Sequence, residues 1–257
     1  MAVPKHEIVN VTDVNVTQYD LLCMKSKPKE EGYRNKVSWF KEYYKKGLRV
    51  KLLRVHEGAH GFTSRGFIEY VPGEYTWRGI DAKGWMVIHC MWVVGRNKGY
   101  GFGSQLLEAC LKDARGMNGV AVVTSEKNWL PGRKIFVSHG FEKVDEMENC
   151  ELYVRRLKKN VSKPRFNTLS RKQLEIYRNG LTILESPQCP YSCGGITTLR
   201  ELASKARVPF KVEHLASHKE AQKNGLHPYG TFCVVLNGEV VSHYPGDVKE
   251  VRKLLAR

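Results

Sequence analysis

The chain lacks a hydrophobic run long enough for a bilayer. Its longest apolar stretch, Trp85–Val94, covers ten residues and is interrupted by His89, whereas a spanning helix needs about 20. The N-terminus, MAVPKHEIVN, has no apolar h-region, so no secretory signal is read there. No internal repeat, low-complexity tract or charged tail is present, which argues against repeat, collagen-like and disordered classes. Cysteine is sparse: seven are scattered at 23, 90, 110, 150, 189, 193 and 233, and only Cys189 and Cys193 lie close together. An odd count without a secretion signal points to reduced thiols and a cytoplasmic setting. The GxxxxGK[ST] and GxGxxG phosphate signatures are missing. Missing too are an RNP motif, zinc-finger spacing and a helix-turn-helix pattern, which argues against nucleic acid as the partner.

What is present is ordinary in bulk. The chain has 257 residues, 42% apolar and 26% charged, enough for one or two domains that need no disulfide or metal staple. Lys plus Arg exceed Asp plus Glu by 42 to 26, a net charge of +16 shared by both halves of the chain. Such a surface attracts anions, including phosphorylated cofactors and substrates.

The pattern predicts a mixed α/β chain. Strands are read at Ile8–Val16, Leu48–His56 and Phe67–Val71, and residues 18–46 read as helices broken near Pro28 and Gly32. Trp85–Val94 has the continuous apolar pattern of a strand buried on both faces. A helix starts near Gly103, with Leu106, Leu107, Cys110, Leu111 and Ala114 at helical spacing. Val120–Thr124 is a strand, Pro131–His139 a short helix, and Phe141–Val144 with Cys150–Leu157 a strand pair. Residues 155–165 are basic and proline-containing, the composition of a linker. The second unit reads as strand Leu181–Glu185, helix Ile196–Ala206, strand Phe210–His214, then Phe232–Leu236 and Val240–His243 joined at Asn237-Gly238, and a helix at Val248–Leu255. The expected organisation is a domain at 1–157, a linker at 158–168 and a smaller domain at 169–257.

Between the buried strand and the amphipathic helix lies Arg96-Asn97-Lys98-Gly99-Tyr100-Gly101-Phe102-Gly103. Glycines there let the backbone approach an anion, and the free N–H groups of the first helical turn point at it. Arg96 and Lys98 add positive charge. Arg96, Gly99 and Gly101 match the Q/R-x-x-G-x-G/A loop, and the later LPGRKIFVSHGFE carries a helix ending in Gly-Phe. On these features the sequence resembles the GNAT superfamily of acyl-CoA N-acyltransferases over roughly residues 7–157. GFIEYVPGEYTWRG, VIHCMWV and HPYGTFCVVLNGE further resemble GNAT proteins with a YoaP-like C-terminal domain.

The resemblance implies a GNAT core that takes acetyl-CoA between two parting strands. It implies that Trp92, Val93 and Val94 line the pantetheine arm, with a backbone N–H near Val94 on the thioester carbonyl. It also implies that Gly99, Gly101, Gly103 and Ser104 hold the pyrophosphate. Many GNAT enzymes place a Tyr proton donor before the Gly-Phe ending; this chain has Phe136, with Ser138 and His139 nearby.

An acceptor amine must lose a proton, so a base is needed, and Glu69 and His89 are the candidates. Each has a structural alternative, a salt bridge or a satisfied core histidine. Tyr75, Trp77 and Arg78 are candidate acceptor contacts, with Arg78 able to grip a carboxylate or phosphate. SPQCPYSCGG between a strand and a helix has the layout of a thioredoxin-like redox site, although its spacing is CxxxC and no proline directly precedes Phe232. Cys189 and Cys193 are therefore redox candidates, with a structural role or a metal site as alternatives; zinc would need two more ligands. The expected function is transfer of an acetyl group from acetyl-CoA to a small amine, with an amine that also carries an anionic group as the expected acceptor. The alternatives are a thiol redox protein whose core binds acyl-CoA, and a nucleic-acid-associated acetyltransferase.

Overall fold

The computed structural model describes residues 3–126, 129–168 and 174–256. Residues 169–173, where the smaller domain was expected to begin, lie outside the described residues, as do Met1 and Ala2 of the stretch read for a signal. The chain divides into two compact units that are not contiguous in sequence. The first comprises 1–26, 40–76 and 81–165; the second comprises 27–39, 77–80 and 166–257.

The first unit is built on a seven-stranded sheet. Its strands are β1 (His6–Val11), β2 (Arg49–His56), β3 (Phe62–Pro72), β5 (Met86–Val93), β6 (Gly119–Thr124), β7 (Glu142–Met147) and β8 (Cys150–Arg156). They lie in the order β1-β2-β3-β5-β6-β8-β7. All neighbours are antiparallel except β5 and β6. A two-residue strand, β4 (Ile80–Asp81), lies between β3 and β5 in sequence. The connection from β5 to parallel β6 runs through helix α2 (Phe102–Asp113). Leu106, Leu107 and Cys110 of α2, with Ala114 at its C-cap, share one core with Tyr70, Ile88, Val120 and Val122. That is the 3.6-residue apolar stripe meeting the alternate residues of the strands. A short helix, α3 (Lys134–Ser138), adds Phe136 to the same core.

Helix α1 (Glu31–Tyr44) is the single α-helix described within 18–46. Leu22 and Met24, both at positive φ, break the regular backbone ahead of it. β1 ends at Val11 rather than Val16, because Asn15 accepts from the Thr12 N–H and turns the chain.

The second unit is a four-stranded sheet of β10 (Leu181–Glu185), β11 (Phe210–His214), β12 (Phe232–Leu236) and β13 (Glu239–Ser242), ordered β11-β10-β12-β13. β9 (Arg165–Phe166) precedes it. β10 is parallel to β11 and antiparallel to β12. The helices are α4 (Ser192–Lys205), α5 (His218–Asn224) and α6 (Val248–Leu255); α5 was not read from the sequence. Asn237 and Gly238 both take positive φ, as a two-residue hairpin turn demands. Segments 27–39 and 77–80 are bound into this unit by close backbone approaches. A Cβ on Gly32 would fall 2.0 Å from the Pro190 carbonyl oxygen, and one on Gly230 would fall 1.9 Å from that of Trp77. Among the described residues no helix is long and apolar enough to cross a membrane.

Candidate functional site

β5 is flanked unequally. Its antiparallel register with β3 runs from Met86 to Val93, but its parallel register with β6 covers only Met86–Ile88. Beyond Ile88 the two parallel strands part, and the edge of β5 facing β6 is left open. Burial follows: Met86–His89 are buried, while Cys90, Met91 and Val93 are half-buried and Trp92 is exposed. A strand buried on both faces throughout was the expectation; the parting of β6 is why its second half is not.

The glycine turn closes the open end. Gly99 and Gly101 take φ of 88° and 78°, and a Cβ at either would meet nothing within 4 Å. Gly101 caps α2 without any side-chain hydrogen bond, so the N–H groups of the first turn remain available to a ligand. Gly103 does a different job: its Cβ would fall 2.8 Å from Ile135 Cδ1, so it allows α2 and α3 to pack closely. The resulting cleft, about 670 Å³, is lined by Met91, Trp92, Val93, Lys98, Gly99, Gly101, Gly103 and Ser104 on one side and by residues such as Trp129, Lys134 and Ile135 on the other. Lys98 Nζ stands 4.9 Å from the Trp92 ring centroid.

Two expected cofactor contacts lie elsewhere. Arg96 donates from Nη2 to both oxygens of Glu57, at 2.9 and 3.0 Å, and lines a separate hollow with Arg65 and His60. The Glu57 carboxylate, also gripped by Arg65, draws it there and is itself held below the usual carboxylate range, first by the Arg65 hydrogen bond. The Val94 N–H donates to the Arg65 carbonyl at 2.9 Å and is not free for a thioester. By the alternation of an antiparallel pair, the N–H groups of Met91 and Val93 face the open edge instead.

Glu69 and His89 are brought together. Glu69 Oε1 lies 3.5 Å from His89 Nδ1, and His89 Nε2 lies 3.0 Å from Thr76 Oγ1. All three residues are at most 1% exposed. Sequence reasoning missed Thr76, which no motif marks.

Trp77 and Arg78 belong to the second unit and are buried; Tyr75 is half-buried in the first. Arg78 Nη1 donates to the Tyr229 carbonyl at 2.5 Å, and its guanidinium lies 4.5 Å from the Tyr229 ring centroid. Phe136 is fully buried against Phe141, and Ser138 and His139 both hydrogen-bond the Ile135 carbonyl.

In the second unit, α4 starts at Ser192, so Cys189 lies before the helix and Cys193 within its first turn. Both are half-buried thiols. Burial, then Glu185 and Glu31, push the Cys193 thiol up, and Asn35 Nδ2 approaches its sulfur at 4.0 Å. Among the described residues no group of three His, Cys, Asp or Glu side chains could hold a metal ion.

No family model matches the chain. Over 253 residues it is 32% identical to the uncharacterized N-acetyltransferase YoaP of Bacillus subtilis strain 168, covering 96% of this chain and 97% of that protein. Among solved structures it is similar to an acetyltransferase of Thermus thermophilus, at TM-score 0.43 and 19% identity over 61% of this chain and 100% of that one. It is also similar to the GNAT family N-acetyltransferase YhbS of Escherichia coli in complex with CoA, at TM-score 0.42 and 13% identity over 65% and 92%. A relative matched end to end, in a chain whose glycine turn stands where two parallel strands part, makes this protein a member of the GNAT N-acetyltransferase superfamily.

Proposed function

We propose that the chain transfers an acetyl group from acetyl-CoA to the amine of a small acceptor. The observation that carries this reading is the turn at Gly99 and Gly101, open on its cleft side and leading into an uncapped helix start beside the free edge of β5. Acetyl-CoA, when bound, supplies the activated acyl group as a thioester.

The residues present fit that group. N–H groups of Phe102, Gly103 and Ser104 meet a pyrophosphate at the positive end of α2, each such contact contributing about 0.3–1 kcal/mol. Lys98 adds a charge at the same mouth. The outward N–H groups of Met91 and Val93 would hold an extended amide-bearing arm and would donate to the thioester carbonyl. The acceptor's proton is taken by the Glu69–His89 pair. Phe136 gives none to the leaving sulfur; a thiol with a pKa near 8.5 departs without an acid at modest cost.

For the second unit the reading is a thioredoxin-like module. The sheet order β11-β10-β12-β13, with one parallel pair and α4 following the cysteine turn, supports it. Residue 231, directly before β12, is threonine where the resemblance calls for proline.

Titration calorimetry with acetyl-CoA tests the cofactor site. Gly101→Val puts a branched side chain on the cleft face of the turn, at a φ that already disfavours it. Affinity should fall at least about tenfold, or 1.4 kcal/mol, with the circular dichroism of the full chain retained. Equal affinity in the variant overturns the assignment.

A further inference from the structure

Just beyond the end of β5, two arginines share one carboxylate. Glu57 accepts from Arg65 Nε at 2.7 Å and from Arg65 Nη2 as well, while Arg96 Nη2 donates to both of its oxygens at 2.9 and 3.0 Å. With His60 and Thr63 these residues line a hollow of about 730 Å³, and all five belong to the first unit. Two guanidiniums against one carboxylate leave the hollow with a surplus of positive charge. A guanidinium carries five N–H donors. Glu57 engages Arg96 only through Nη2, so the N–H groups at its Nε and Nη1 have no partner among the described residues. The Arg96 side chain is 63% exposed and within reach of a ligand, whereas that of Arg65 is 18% exposed and anchored.

A single turn joins the hollow to the cofactor cleft. Gly95–Asn97 is one turn of 3₁₀-helix, closed by the Asn97 N–H on the Val94 carbonyl at 2.8 Å and the Lys98 N–H on that of Gly95 at 3.1 Å. Arg96 lines the hollow, and the next two residues, Asn97 and Lys98, line the cleft. The vertex of the cleft is farther off. From Ile88, the last residue of β5 in register with β6, to Val94 is about 20 Å of extended strand. A small acceptor at the vertex does not reach Arg96. A ligand with its diphosphate at Gly99 and Gly101 and a further phosphate beside it does.

We infer that the hollow at Arg96 and Arg65 takes a phosphomonoester, and that its source is the 3′-phosphate of coenzyme A. The inference rests on the acetyl-transfer reading and deepens it: Arg96 becomes the residue that tells coenzyme A from its 3′-dephospho form. Glu57 has a positioning part. It fixes both guanidiniums before a ligand arrives, so less side-chain freedom is lost on binding. It offsets only one of their two charges. A guanidinium with donors left over after one carboxylate suits the several acceptor oxygens of a phosphate better than a point charge does. Thr63, on the wall of the same hollow, adds a hydroxyl.

Titration calorimetry on the full chain, with coenzyme A and with 3′-dephospho-coenzyme A, tests this. The wild type should bind coenzyme A at least about tenfold more tightly, the effect of a hydrogen bond between charged groups. Arg96→Gln should shrink that preference to less than about threefold by weakening coenzyme A alone, with dephospho-coenzyme A bound as in the wild type. Because Arg96 is exposed, the variant should keep the circular dichroism and melting temperature of the wild type. Equal losses for both ligands in Arg96→Gln would put Arg96 on the diphosphate and overturn the inference. A preference that survives unchanged in the variant overturns it too. So does a wild type that binds both ligands alike, the result expected if the hollow serves a phosphorylated acceptor; the cofactor site would then stand. A wild type that binds neither ligand overturns the acetyl-CoA reading as well.

Discussion

At the residue scale, the same side-chain types meet opposite fates according to what packs on them. Glu57 faces solvent and gathers Arg65 and Arg96, whereas Glu69 is buried and meets His89. His227 shows what burial does to an imidazole. It is 2% exposed, stacked on His243 at 3.8 Å with the rings 5° apart, and its Nδ1 accepts from the Tyr229 N–H at 3.0 Å. Burial first, then His243 and Arg78, lower its pKa to about 3. The unfolded chain takes up this proton near pH 6.5 and the folded chain does not. The stability this group contributes is therefore complete above about pH 6.5 and is lost as the pH falls toward 3, at roughly 1.4 kcal/mol per unit. Urea unfolding of the full chain should show about 2 kcal/mol less stability at pH 5 than at pH 7 from this group. His227→Asn should flatten that slope. An unchanged slope in the variant would mean that other groups dominate acid lability.

At the element scale, glycines separate packing from ligand approach. A Cβ on Gly119 would fall 2.2 Å from the Arg155 carbonyl oxygen and 2.6 Å from Trp85 Cζ3, against backbone and a fixed indole. Gly119→Ala should therefore destabilise the chain by about 3 kcal/mol, at the top of the range for overpacking. Gly103→Ala meets only the flexible side-chain tips of Ile135 and Met91 and should cost under about 1 kcal/mol. Melting curves of both variants decide it; equal losses would refute the distinction. The glycine turn, the amphipathic α2 and the Asn237-Gly238 hairpin were legible because local spacing and φ preference specify them. The open edge of β5 and the bulge at His89, where the register with β3 slips by one, were not, because both depend on which strands lie beside β5 and in what register. The same holds for Arg96, whose motif position suggested a phosphate contact. Its partner Glu57 lies 39 residues earlier, in the turn after β2.

At the scale of the whole molecule, a linear division at the basic stretch after Leu157 misses two segments. Residues 27–39 and 77–80 group with 166–257, and they bring Trp39, Trp77 and Arg78, none more than 3% exposed. The two indoles meet edge to face at 6.3 Å, Arg78 is bonded to Tyr229, and the Gly79 N–H donates to the Pro228 carbonyl at 3.1 Å. The contacts of Arg78 and Gly79 span some 150 positions of sequence, beyond the reach of any periodicity. They also make a specific demand on the chain. A protein ending at Arg165 keeps both segments but loses the sheet β10–β13 and the 227–230 turn that complete their unit. Each stripped aromatic exposes about 150–250 Å², and Arg78 loses its carbonyl acceptor. Together the two indoles expose about 300–500 Å², an apolar patch as large as the biggest on a typical soluble monomer. The truncated chain should therefore bind a hydrophobic dye, unfold at lower urea than the full chain and associate in sedimentation. A monomeric, cooperatively folding 1–165 would show that the first unit is self-sufficient and that segments 27–39 and 77–80 do not depend on the rest of the second.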